Sequence, residues 1–259
     1  MKTKEDITKL ALQVAETSNL ILESLNKKIK PDFKDSYLLG ILSRSAVINY
    51  DINQILSKNN HNLHTSVFIL LRCLLDDFIH ILHLLQNNFE EEEIVKIAAS
   101  AHRQRFKTLE ESRKINYKFF GGENNQLQTQ SREDELKEEF LQNPNNDIFF
   151  QEKSEFKFKK FKTVQQLVDN LPETEIGQAN VHAFILWKFL SQYIHFSNLT
   201  FYMENQEETR KIEIAQLEEV LFYCYKTIVC AFDELKKRHE FLEWKDPHNL
   251  NDYFNSLSV

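Results

Sequence analysis

Residues 67–85 read VFILLRCLLDDFIHILHLL, and this stretch decides the fold. If it is helical, it is apolar around nearly its whole circumference, which is typical of a helix that is buried on most sides. It also carries Arg72, Asp76, His80 and His83, which are spaced by four, four and three residues. This spacing places the four side chains on one helix face. Because unpaired buried charge is costly, the polar stripe requires partners elsewhere in the chain.

The rest of the composition favours a helical globular protein. Four Gly and four Pro occur among the 259 residues, whereas average usage would give roughly 18 and 13. Since Gly and Pro mark turns, their scarcity indicates long helices with few connections. We therefore predict an all-α bundle of about five to seven long helices. Two nearly all-apolar helices, 67–85 and about 176–198, lie at its centre.

Charge and cysteine usage narrow the class of protein. The net charge of −7 argues against general affinity for the nucleic-acid backbone, although a local basic patch is compatible with it. The three cysteines lie in apolar helical sequence without metal-ligand spacing, which indicates reduced thiols. The N-terminus lacks an apolar signal segment, and the charges of 67–85 would cost more in a bilayer than its apolar side chains gain. We expect a cytoplasmic protein with no membrane partner.

We expect a single helical domain over residues 1–259, with a polar insertion or mobile segment at 121–162 and a loosely docked tail at 244–259. Within the insertion, residues 153–162 (KSEFKFKKFK) alternate Lys with Phe. Basic–aromatic alternation suits a surface that binds nucleic acid. It equally suits an edge segment that docks its phenylalanines on the core, and this second interpretation is the favoured one.

The second apolar helix supplies a candidate partner for the polar stripe. Its polar exceptions include Ser191, Gln192 and His195, which share one side of the helix. Two buried helices with one polar face each are expected to turn those faces toward one another. We predict that Arg72, Asp76 and His195 converge as a catalytic group, with Ser191, Gln192 and His80 around the substrate.

Three interpretations of this site stay open. Arg72 and Asp76 can form a structural ion pair, satisfied by the downstream helix through a buried hydrogen-bond network. Alternatively, Arg72 binds a phosphate and His195 acts as acid or base in metal-independent phosphodiester cleavage. In the third interpretation, Asp77, His80 and His83 bind a metal, with or without His195, since Asp77-x-x-His80 and His80-x-x-His83 are permissible ligand spacings on a helix. We favour a site without metal or cofactor.

Two short motifs carry a family resemblance: Arg72-Cys-Leu-Leu-Asp76 and Leu190-Ser191-Gln-Tyr-Ile-His195. On these, the chain resembles an uncharacterised family of bacterial all-helical proteins with an Arg-x-x-x-acidic motif, usually ending in Glu, and a later Leu-Ser-x-x-x-His motif. That family is loosely similar to HEPN-type helical domains, many of which are ribonucleases of toxin or phage-defence systems. Their hallmark is an Arg followed four to six residues later by His, and this sequence departs from it.

The resemblance implies a metal-independent ribonuclease or a nucleotide-sensing protein of a defence or toxin system. RNA or a nucleotide would be the partner, with a homodimer or a partner protein as a further expectation. The alternative is a non-catalytic helical interaction module, in which the buried Arg72, Asp76 and His195 network fixes the register of the helices.

Overall fold

The computed structural model describes residues 3–25, 28–58, 65–171, 175–192 and 207–256. In chain order, its helices are α1 (Lys4–Leu25), α2 (Phe33–Lys58), α3 (Thr65–Gln86), α4 (Glu91–Phe120), α5 (Gln130–Gln142), α6 (Val164–Asp169), α7 (Glu175–Ser191), α8 (Glu207–Arg238) and α9 (Leu250–Asn255). A 3₁₀-helix (Pro144–Phe149) precedes β1 (Phe150–Glu152) and β2 (Lys157–Phe158). The described strands are only these two, so the predicted all-α bundle is confirmed.

The chain forms two compact units, one comprising Met1–Asn88 with Val164–Val259 and the other Phe89–Thr163. In the first unit, α3 packs against α2, α7 and α8, while α1 packs against α2 and α8. This central position explains why α3 is apolar on most sides, since most of its apolar side chains, among them Leu71, Leu75 and Phe78, are buried, while Ile69 and Leu85 are exposed. The second apolar helix, α7, likewise buries Phe184, Leu186 and Leu190 and leaves Val181 and Ile185 exposed.

The second unit packs α4 against α5, the 3₁₀-helix and β2. Gly121 ends α4 in a left-handed conformation, and its N–H bonds to the carbonyl of Asn116. The two strands pair antiparallel and carry phenylalanines into an aromatic cluster with α4 and α5, made of Phe106, Phe140, Phe150, Phe156 and Phe158. The docking interpretation of segment 153–162 is therefore confirmed for Phe156 and Phe158.

The chain end packs on the first unit through short segments. Leu250 and Phe254 of α9 are buried, and the Phe254 ring contacts the rings of Phe222 and Tyr225. Trp244 packs edge-on to Tyr225 and Phe232 of α8. A six-residue helix has too few turns to show a period, so this packing is hard to predict from hydrophobic periodicity.

None of the helices in the described ranges is both long enough and apolar enough to span a membrane. All three cysteines are free thiols: Cys224 is buried and Cys73 and Cys230 are half-buried.

Candidate functional site

The predicted pair of Arg72 and Asp76 forms on successive turns of α3. Arg72 Nη1 donates to Asp76 Oδ2 at 2.7 Å. Each side chain is 23% exposed, so the pair lies at the edge of the core rather than deep inside it. At this depth solvent screens the charges only in part, and additional hydrogen bonds are needed to offset their desolvation.

Helix α7 supplies those hydrogen bonds through Trp187 and Ser191, which are one turn apart. Trp187 Nε1 donates to Asp76 Oδ1 at 2.6 Å, and Arg72 Nε donates to Ser191 Oγ at 3.1 Å. The Ser191 hydroxyl donates to the carbonyl of Trp187 at 2.7 Å. The four side chains therefore form one connected network between α3 and α7, which we call the α3–α7 polar centre.

The indole of Trp187 also forms an aromatic floor beneath the guanidinium group. The Arg72 Cζ atom lies 4.8 Å from the centroid of the Trp187 ring, within the range of a cation–π contact. The Phe184 ring stacks nearly parallel to the Trp187 ring, with the two ring centroids 5.8 Å apart. Arg72 is thus held by an ion pair, a hydroxyl and an aromatic face at once.

Trp187 lies in the second nearly all-apolar helix, and hydropathy alone gives no sign of its polar role. Indole combines a large apolar body with one N–H donor, and a buried indole usually finds an acceptor for that donor. Trp187 stands four residues before Ser191, on the same helix face. That spacing was the available signal that its N–H points toward the same partner helix.

The other predicted site residues have different placements. Gln192 is exposed just after the end of α7, and its N–H bonds to the carbonyl of Phe189 at 3.1 Å. His195 lies outside the described residues, so its convergence with Arg72 and Asp76 stays a prediction. Among the predicted site residues, Arg72 and Asp76 of α3 and Ser191 of α7 are the ones that meet, with Arg72 bonded to both of the others.

His80 is tied to its own helix one turn after Asp76. Its Nδ1 lies 2.6 Å from the backbone carbonyl oxygen of Asp76. A carbonyl can only accept, so Nδ1 carries the hydrogen and Nε2 has the lone pair in the neutral ring. Burial lowers the pKa of His80, which favours this neutral form.

Asp77 faces away from the polar centre and pairs with α2. Arg44 Nε donates to Asp77 Oδ2 at 2.8 Å. Burial raises the pKa of Asp77 to about 6, against the opposing pull of Arg44 and with a smaller contribution from the neighbouring Asp76 charge. Burial, reinforced by the Asp77 charge, also raises the pKa of the Tyr37 hydroxyl on α2. This is a second, separate charge pair on α3.

The candidate metal ligands on α3 are directed to separate partners. Asp77 bonds to Arg44, His80 to the Asp76 carbonyl, and His83 Nδ1 lies 3.3 Å from Asn87 Nδ2. In the part of the chain that the structure describes, no three His, Cys, Asp or Glu side chains are placed to hold a metal ion. The spacing of Asp77, His80 and His83 therefore does not produce a metal cluster of these three residues.

No curated protein and no solved structure matches the chain significantly. One family model matches, that of a family of unknown function, over residues 35–212. This range includes α3, α7 and both motifs on which the resemblance rests. The looser likeness to HEPN-type domains stays a prediction. Because the match covers more than half of the sequence, the chain belongs to the family of unknown function DUF5677.

Proposed function

We propose that the α3–α7 polar centre binds a phosphate-bearing ligand, RNA or a nucleotide, through Arg72. The observation that carries this proposal is the way the guanidinium is held. Its bonds to described residues use Nε and Nη1 while its face rests on Trp187, and the side chain is partly exposed. The planar fork of arginine matches the geometry of phosphate oxygens, and the unused N–H groups supply donors for them.

Asp76, Trp187 and Ser191 then act as positioning residues. They fix the guanidinium before the ligand arrives, which lowers the ordering cost of binding. Asp76 also offsets part of the Arg72 charge, so the centre is suited to a phosphate that accepts hydrogen bonds from a held fork. The ammonium group of lysine is a point charge without this fork, so Arg72→Lys is expected to weaken binding of the phosphate.

RNA cleavage is the more specific form of this proposal. His195 would serve as acid or base at the phosphodiester, and His80, held as a neutral imidazole, would contact the substrate. No metal or cofactor is required by such a mechanism. On the resemblance to HEPN-type domains, the protein would be a cytoplasmic ribonuclease or nucleotide sensor of a defence or toxin system, acting as a homodimer or with a partner protein.

A second function is favoured by a different observation. Both carboxylate oxygens of Asp76 already accept hydrogen bonds, one from Arg72 and one from Trp187. A network that is satisfied in this way does not need a ligand, and it can fix the register of α3 on α7, as single polar contacts do in helical assemblies. The protein would then be a non-catalytic helical interaction module.

Trp187 offers a direct test of binding, since the chain has only one other tryptophan, Trp244. In the Trp244→Phe background, fluorescence reports on the indole beneath Arg72. AMP and a short single-stranded RNA should change this signal in a saturable way, and adenosine, which lacks the phosphate, should not. Arg72→Lys should weaken binding about ten-fold or more, consistent with loss of a charge-assisted fork.

Arg44→Lys is the matched control, because Arg44 of α2 pairs with Asp77, the residue next to Asp76 on α3. It should leave the titration unchanged. If neither AMP nor RNA alters Trp187 fluorescence in protein of native thermal stability, the phosphate-binding proposal is wrong and the structural network is favoured.

Cleavage is tested separately by incubating RNA with the wild type, Arg72→Ala and His195→Ala. The proposal expects fragments from the wild type and intact RNA from both variants. If the wild type binds RNA but does not cleave it, the ribonuclease proposal is wrong and the nucleotide-sensing proposal is retained.

A further inference from the structure

A cavity of about 440 Å³ lies in the first unit, away from the α3–α7 polar centre. It is formed by the second half of α3, the start of α7, the middle of α8 and helix α9. Its walls are mainly apolar and aromatic, and its lining includes Phe78, Ile81, Leu85, Phe222, Val229 and Phe254. We call it the Lys226 pocket, after the one lysine among the residues that line it. Its size and composition fall in the range of small-molecule sites.

Lys226 brings a positive charge into these apolar surroundings. Its Nζ lies 4.3 Å from the centroid of the Phe222 ring and 5.7 Å from that of Tyr223. No carboxylate in the described ranges forms an ion pair with it. Burial lowers the pKa of its ammonium group, which reports the cost of desolvating this charge. An anion beside Lys226 would offset that cost.

Polar groups that could hold an anion's oxygens stand near the same pocket. Asn180, Asn251 and Asn255 are among its lining residues, and amide N–H groups donate to carboxylates. Cys230, one turn after Lys226 on α8, is half-buried and its thiol pKa is raised by burial. The thiol therefore stays neutral and leaves the lysine as the charged group of the pocket. An apolar cavity with one cation and a few amides is the pattern of a site for an amphiphilic anion.

We propose that the Lys226 pocket binds a small apolar carboxylate, with its carboxylate on Lys226 and its hydrocarbon portion against Phe78, Phe222 and Phe254. A carboxylate makes a charge-assisted hydrogen bond to an ammonium group, and apolar contact supplies the rest of the affinity. At about 30 Å³ for each water-sized group, the cavity holds roughly fifteen non-hydrogen atoms. Medium-chain fatty acids and aromatic acids have this size. The site is independent of the phosphate-binding function proposed for Arg72.

Calorimetric titration of the full chain with octanoate tests the proposal, and two further compounds separate its parts. Octanol keeps the apolar tail without the charge, and acetate keeps the charge without the tail. Octanoate should bind at one site per chain, octanol about ten-fold or more weakly, and acetate should not bind measurably. An absence of saturable octanoate binding to the wild type would overturn the proposal.

Substitutions locate the site. Lys226→Met should weaken octanoate about ten-fold or more and leave octanol unchanged, while Lys226→Arg should retain octanoate binding. Lys236→Met is the matched control, because Lys236 lies on the same helix with its Nζ 5.9 Å from the Phe232 ring, outside this pocket. Val229→Phe, which fills the cavity and keeps the charge, should abolish binding of both compounds. Octanoate affinities that are equal in the wild type and Lys226→Met would exclude the lysine as the carboxylate partner.

Discussion

Asp76 and Asp77 are adjacent on α3, and each pairs with an arginine, yet the two pairs differ in what surrounds them. Asp76 accepts from Arg72 and from Trp187, one donor on each carboxylate oxygen. Asp77 accepts from Arg44, and its side chain is 16% exposed against 23% for Asp76. Burial raises the pKa of Asp77 to about 6. Asp77, the more buried of the two carboxylates, therefore accepts hydrogen bonds from fewer side chains than Asp76 does.

The difference follows from helix geometry. Successive residues on an α-helix point about 100° apart, so neighbouring aspartates meet different partner helices. Asp76 faces α7, where an indole N–H and a hydroxyl extend the network, and Asp77 faces α2, where the partner arginine is half in solvent. Burial without a full set of donors destabilises a charge, whereas partial burial within a complete network does not. The contribution of a charged residue to stability therefore depends on its partners in the fold, which the sequence around that residue does not show.

The largest expected effect comes from breaking the more complete network. Asp76→Leu leaves the Arg72 guanidinium and the Trp187 N–H without their shared acceptor. We expect the free energy of unfolding to fall by about 3 kcal/mol, a value discounted for the partial exposure of the pair. Urea unfolding with a constant m-value measures it.

The double variant Arg72→Met/Asp76→Leu is the control for this loss. Removing both charges leaves no uncompensated ion, so much of the lost stability should return. If the double variant is no more stable than Asp76→Leu, the loss comes from packing rather than from the orphaned charge.

Sequence reasoning located this network in part. The four-residue spacing of Arg72 and Asp76, and the position of Ser191 on a second apolar helix, were sufficient to predict that the two faces meet. Trp187 was missed because hydropathy counts its ring and ignores its N–H. The Arg44–Asp77 pair was missed because the two residues are 33 apart, on helices whose mutual rotation no local pattern specifies. The fold was more accessible than the site, since a scarcity of Gly and Pro and a 3.6-residue period are local properties.

The second expected effect tests Asp77 through pH. In the folded protein Asp77 holds its proton up to about pH 6, whereas in the unfolded chain the pKa is about 3.9. The folded state therefore binds more protons between these values, and stability falls as pH rises through this window. Asp77→Asn removes the titration and keeps an acceptor for Arg44. Relative to the wild type, its free energy of unfolding should rise by about 2 kcal/mol from pH 4 to pH 7.

Denaturant unfolding of the wild type and Asp77→Asn at pH 4, 5.5 and 7 measures this difference. Other groups titrate equally in both proteins and cancel. A difference that is flat with pH, or that moves in the opposite direction, would mean that Arg44 rather than burial controls the pKa of Asp77.

The smallest expected effect compares the two arginines under the same substitution. Arg44→Lys keeps the charge at a side chain that is 49% exposed, so the free energy of unfolding should change by less than about 0.5 kcal/mol. Arg72→Lys loses the Nε donation to Ser191 and the planar contact with Trp187, and should cost about 1 kcal/mol. Thermal unfolding of both variants beside the wild type measures the difference. Two shifts of equal size would mean that the Trp187 ring and the Ser191 hydroxyl add nothing to the stability of the Arg72–Asp76 pair. A larger shift for Arg72→Lys identifies the donation to Ser191 and the planar contact with Trp187 as the contacts that separate the two charge pairs.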